Sequence, residues 1–154
     1  MGYRKIKVFL DTSVLIAGVV SSKGASAAIL DLIEMSLLTF MLSRQVLIEA
    51  DRNIEKKFPK LLPDYRMFIK NLSPLLITDP SPKDIKNASG IIHKKDAPIL
   101  AAAINDPPDY LVTLDSKDFL KEKVKEAVRF SIVRPDEFLK IFKEILVKGP
   151  FPKA

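Results

Sequence analysis

The chain of 154 residues has no cysteine and a single histidine. It also has no apolar run long enough to cross a membrane. Each absence removes a class of function. Without cysteine there is neither a disulfide framework nor a thiolate zinc site, which suits a reducing compartment. His93 would have to serve alone in any Ser-His-Asp or histidine-metal scheme. It lies between Ile91-Ile92 and Lys94-Lys95, the setting of a surface residue at a helix end, and is assigned no catalytic role. Val14 to Val20 is among the longest apolar runs and contains a glycine, well short of the roughly 20 residues of a spanning helix. Asp11 interrupts the apolar stretch Val8 to Leu10 that would otherwise follow basic residues as a signal sequence. Repeats, linkers and low-complexity tracts are lacking too. A single cytoplasmic domain over residues 1–154, without membrane association, is expected, and a chain of this length buries about two thirds of its unfolded surface.

What is present is charge and α/β patterning. The 25 Lys plus Arg against 19 Asp plus Glu give a net charge of +6 and a pI near 9.5. This balance favours an anionic partner, although lysine-rich surfaces also serve solubility and thermal stability. Lys7-Val8-Phe9-Leu10 reads as a buried first strand ending at Asp11-Thr12-Ser13. Ala25 to Met35 has helical spacing, and Leu37 to Leu42 reads as a strand. Ser43 can cap a helix with Leu47, Ala50, Ile54 and Phe58 on one face and Glu49 beside it. Pro59 and Pro63 break the chain before a helix over Tyr65 to Leu72 and the short apolar Leu75-Leu76-Ile77. A helix is expected from Lys83 to His93, with Ile85, Ala88, Ile91 and Ile92 inward. Phe130 to Val133 and the segment from Pro135, with Phe138, Leu139, Phe142 and Ile145 inward, supply a last strand and helix.

The stretch Lys94 to Phe119 organises the rest. Ala97 to Ile104 reads as a buried helix with Pro98 in its first turn, which places Asp96 at the helix start. Tyr110 to Leu114 reads as a buried strand that ends in Asp115. Either acid could simply cap: Asp accepts the free N–H groups of a first turn, and Asp115-Ser116 could begin a short helix at Lys117. Asp11 is a third acid in the same kind of place. Alternating strands and helices imply an open, mostly parallel sheet flanked by helices on both faces, with its site at the C-terminal strand ends. If the first strand and the Tyr110 strand are neighbours, Asp11, Asp96 and Asp115 converge.

Converging carboxylates repel: two unit charges about 4 Å apart cost about 4 kcal/mol at an effective dielectric of about 20. A proton or a divalent cation must relieve them. An all-oxygen set without histidine or cysteine favours Mg²⁺ or Mn²⁺ over Zn²⁺, and a basic surface around such a pocket points to phosphodiester chemistry.

Val8-Phe9-Leu10-Asp11-Thr12-Ser13, the segment Leu42 to Glu49, Lys95-Asp96-Ala97 leading Ile99 to Ala103, and Leu111 to Asp115 together resemble the PIN-domain nucleases, which include the VapC-type toxins. The likeness spans residues 6 to 119, and Phe130 to Leu139 resembles the closing strand and helix; residues 55 to 93 carry no matching motif. It implies a PIN-like fold in which Asp11, Glu49, Asp96 and Asp115 ligate Mg²⁺ or Mn²⁺ for endoribonuclease hydrolysis. Thr12, Ser13 and Thr113 match small polar positions near the acids, and Asp118 a position that is often acidic. RNA, single-stranded or structured, is the implied substrate; an antitoxin protein and a second copy of the chain are the implied protein partners. Two other readings fit parts of the sequence. One is a non-catalytic RNA-binding or assembly module of the same fold. The other takes Asp11 as a phosphoryl acceptor, but phosphatases of that type place a second Asp two residues on, where this chain has Ser13.

Overall fold

A computed structural model describes residues 4–148. Within them, five parallel strands, β1 (Ile6–Leu10), β2 (Leu38–Leu42), β3 (Leu75–Leu76), β4 (Tyr110–Val112) and β5 (Ser131–Val133), form one sheet in the order β3-β2-β1-β4-β5. Val8, Phe9 and Leu10 are all fully buried. Successive side chains of a strand point to opposite faces, so both faces of the central strand are covered, as expected of a parallel sheet. The covering helices are α1 (Thr12–Val20), α2 (Ala25–Glu34), α3 (Arg44–Lys57), α4 (Leu62–Leu72), α5 (Pro82–Ala88), α6 (Ala97–Asn105), α7 (Glu122–Glu126) and α8 (Pro135–Val147). Pro59–Leu61 forms a single 3₁₀ turn between α3 and α4.

Strand order reverses between β1 and β4, the neighbours expected from the sequence. Their register pairs Val8 with Tyr110, Phe9 with Leu111 and Leu10 with Val112. Asp109 clamps the start of this pair. Its Oδ2 accepts the Lys7 amide at 2.7 Å, its own amide donates to the Lys7 carbonyl at 2.9 Å, and Arg4 grips both carboxylate oxygens at 2.8 and 2.9 Å. Register set there carries to the far end, where Asp11 and Thr113 follow the last paired residues.

One run left unassigned is resolved, and three local expectations are corrected. The apolar run Val14 to Val20 belongs to α1, a helix without a polar stripe in which Val14 and Leu15 are buried, Ile16 and Val19 are partly buried and Val20 is exposed. Gly18 lets α2 approach it: a Cβ there would lie 2.5 Å from Leu30 Cδ1 and 3.0 Å from the Ser26 carbonyl oxygen. The helix expected to reach His93 ends at Ala88. There the Ser89 hydroxyl bonds back to the Lys86 carbonyl at 2.6 Å, and the amides of Ile91 and Ile92 both turn to the Ala88 carbonyl. Ile92 is nevertheless buried, delivered by a turn. Phe58, expected inward, is exposed because α3 stops before the residue that precedes Pro59. Finally, β4 ends at Val112 rather than Leu114, because the Leu114 amide leaves the sheet for the Ser13 hydroxyl.

Candidate metal centre

The site begins where β1 and β4 end. The Asp11 amide donates to the Val112 carbonyl at 3.0 Å, extending the ladder by one residue. Two hydroxyls then converge on one oxygen of its carboxylate: Thr113 Oγ1 donates to Asp11 Oδ2 at 2.8 Å and Ser13 Oγ to the same atom at 3.1 Å. Each hydroxyl also accepts a backbone amide of the chain leaving β4. Leu114 N donates to Ser13 Oγ at 3.1 Å, and Asp115 N to Thr113 Oγ1 at 3.0 Å. The two hydroxyls thus hold Asp11 and deliver Asp115 beside it.

Asp115 answers the capping question in part. Its Oδ1 accepts the amides of Lys117 and Asp118, both at 3.1 Å, closing a turn that Phe119 anchors in the core. Among the described residues no hydrogen bond reaches Oδ2. That turn brings Asp118 back toward Asp115.

Asp96 does not cap at all. It precedes α6 with φ −96° and ψ −5°, and its side chain makes no capping bond. A capping carboxylate bonds the second or third amide of its helix, and here the second belongs to Pro98, which has none. The residue is 6% exposed, and its Oδ2 is buried without a hydrogen-bond partner among the described residues. One oxygen each from Asp96, Asp115 and Asp118 lie within 4.8 Å of one another. Burial, and then the charges of Asp115, Asp11 and Asp118, push the Asp96 carboxyl up to about 7, with Lys95 opposing. Burial raises Asp11 as well, against the bonds from Thr113, Thr12 and Ser13, while Asp115 adds to the rise.

The sequence-derived acids therefore fall into a core and a margin. Asp96, Asp115 and Asp118 form the tight group, and Asp11 adjoins it through Thr113. Glu49, on α3, is half-buried and outside the tight group. Its Oε2 accepts from Gln45 Nε2 at 3.5 Å. Burial raises its carboxyl, as does the charge of Asp11, while Gln45, Lys95 and Arg52 oppose. Asp51, also on α3, is instead engaged in a bidentate pair with Arg66 at 2.8 Å. Thr12 is buried with its hydroxyl unpartnered. His93 is exposed and structural, its Nδ1 accepting the Lys95 amide at 3.1 Å. Arg52 was not evident from the sequence; the signal was its place one helical turn after Glu49.

A buried carboxylate oxygen that bonds nothing, packed among like charges, must take up a proton or a cation. The donors are all oxygen, so the set fits a hard divalent ion such as Mg²⁺ or Mn²⁺.

The sequence pattern of the PIN domain family matches residues 7–117. No curated protein matches the chain. Among solved structures, PAE2754 from Pyrobaculum aerophilum is similar, with a TM-score of 0.60 and 17% identity over 92% of this chain and 99% of that one. A chain of VapBC2 from Rickettsia felis, crystallised bound to a DNA fragment from their promoter, gives a TM-score of 0.58 and 17% identity over 84% of this chain and 98% of that one. At such identity these likenesses speak for the fold alone.

Proposed function

Because the chain belongs to the PIN-domain family of nucleases, we propose that it is a metal-dependent endoribonuclease that hydrolyses RNA phosphodiester bonds at Asp11, Glu49, Asp96 and Asp115. The observation that carries this reading is the buried, unpartnered Oδ2 of Asp96 in the tight group it forms with Asp115 and Asp118. Asp11, Asp96, Asp115 and Asp118 would hold Mg²⁺ or Mn²⁺, with Glu49 reaching in from α3. When bound, such an ion supplies charge neutralisation at the phosphate and a water of lowered pKa.

The chain's own residues supply orientation. Thr113 and Ser13 occupy Oδ2 of Asp11, so its other oxygen is the one that would serve an ion. Asp115 is held by one oxygen and offers the second. The raised carboxyl of Asp96 lets it hold a proton near neutral pH until a cation displaces that proton. Glu49, raised by burial and by the charge of Asp11 and less buried than Asp96, would accept a proton from an attacking water.

RNA is the substrate class that fits a chain of net charge +6. The reading extends to a toxin role with an antitoxin as protein partner and to a homodimer as the assembly, which the family's VapC-type members suggest. A cytoplasmic location accords with that substrate. The direct test is incubation of purified protein with single-stranded RNA in Mn²⁺ and in EDTA. Cleavage in Mn²⁺ alone, abolished by Asp11→Asn, is expected. RNA binding without cleavage in either condition refutes the hydrolase and returns the non-catalytic RNA-binding module.

A further inference from the structure

A polyanion must approach a pocket of carboxylates, and like charge opposes it. Two cations flank these acids, one on α3 and one just before α6, helices that pack together. Arg52 lies one turn beyond Glu49 on α3, and Lys95 immediately precedes Asp96. The turn that presents Lys95 is fixed: its amide donates to His93 Nδ1 at 3.1 Å and the Asp96 amide to the His93 carbonyl at 2.9 Å.

Both cations are exposed, and among the described residues neither side chain makes an ion pair or a hydrogen bond. Four other arginines are engaged, Arg4 by Asp109, Arg44 by Asp79, Arg66 by Asp51 and Arg134 by Asp136, while Arg129, before β5, is exposed and among the described residues makes no such contact. Arg52 and Lys95 instead act on Glu49 at a distance, and Lys95 on Asp96 also, without contact close enough to be neutralised. Their donors stay available to an incoming anion. A guanidinium fork matches two phosphate oxygens, and an ammonium supplies a compact charge.

We propose that Lys95 and Arg52 hold a phosphate of the RNA strand next to the scissile bond, on the α3 side of the carboxylates. This rests on the hydrolase reading above and adds to it the direction from which the strand enters. The pair positions substrate and does not support the metal.

The test compares wild type with Lys95→Ala, Arg52→Ala, Lys95→Arg and, as a remote control, Lys143→Ala on α8. Affinity for a labelled single-stranded oligoribonucleotide is measured in EDTA over a salt series, and Mn²⁺ affinity separately without RNA. Each alanine variant at Lys95 or Arg52 should weaken RNA binding and flatten the salt dependence by a slope of at most about 0.7, the full worth of the one phosphate the pair shares. Mn²⁺ affinity should hold or rise, since a nearby positive charge is gone. Lys95→Arg should retain RNA binding, and Lys143→Ala should match wild type. Unchanged RNA affinity in both alanine variants overturns the proposal. So does Mn²⁺ affinity falling in step with RNA affinity, which would make the pair structural supports of the acids. Wild type that binds Mn²⁺ but no RNA removes RNA as the anion and the clamp with it. Wild type that binds neither defeats the hydrolase reading itself.

Discussion

Thr113 Oγ1 lies 2.8 Å from Asp11 Oδ2 and 3.0 Å from the Asp115 amide nitrogen, so one buried hydroxyl joins two acids at the ends of adjacent strands. It donates to the first and accepts from the backbone of the second. Thr113→Val keeps the shape and removes both bonds. A hydrogen bond to a charged group contributes about 1.5–3 kcal/mol, and the buried Asp11 oxygen would keep only Ser13 as a side-chain donor. The variant should lose about 2 kcal/mol of stability in urea unfolding. Mn²⁺ affinity should fall about tenfold as Asp11 and Asp115 lose their mutual alignment. Calorimetric titration of both proteins checks this; equal Mn²⁺ affinity would show that the hydroxyl matters for packing only.

The Asp96 carboxyl sets a pH dependence of definite sign. Its ordinary value is 3.8, and the folded protein raises it to about 7. Between these values the folded chain keeps a proton that the unfolded chain releases. The contribution to metal-free stability is therefore full at the acid end, falls as pH rises through this interval and is gone above it. Asp51 and Asp109, lowered by their arginine partners, act in the opposite direction in acid. The difference between wild type and Asp96→Asn isolates the effect. Urea unfolding at pH 5 and pH 8 without metal should show wild type losing stability relative to the variant at the higher pH. Parallel behaviour of the two proteins would contradict the raised carboxyl.

Much of this arrangement was legible in the sequence because it depends on element ends. Asp11 after a β-branched run, Asp96 before an alanine-rich helix with Pro98, and Asp115 after a buried strand each combine a strong local signal with a polar terminus. Their convergence followed from parallel topology, which makes β1 and β4 neighbours despite about a hundred intervening residues. The less legible parts lacked a period to read. α1 is apolar on nearly every side, so no stripe distinguished it from a buried strand. Ile91 and Ile92 continue the helical spacing of α5, yet the chain turns at Ser89 and Gly90, so burial there reflects a tertiary contact and not a helix. Whether Asp96 capped its helix could not be read from residue type. The answer lay in the backbone conformation and in the missing amide of Pro98.

The central claim, that these carboxylates form one divalent-metal site, is tested most directly by melting curves of wild type and Asp96→Asn at pH 8, with and without Mn²⁺. Removing the Asp96 charge should raise metal-free stability by about 1 kcal/mol or more, since it relieves repulsion from Asp115, Asp11 and Asp118. Mn²⁺ at 100 times its dissociation constant should stabilise wild type by about 2.7 kcal/mol and the variant by less. If the variant matches wild type without metal and Mn²⁺ moves neither curve, the acids do not act as one site.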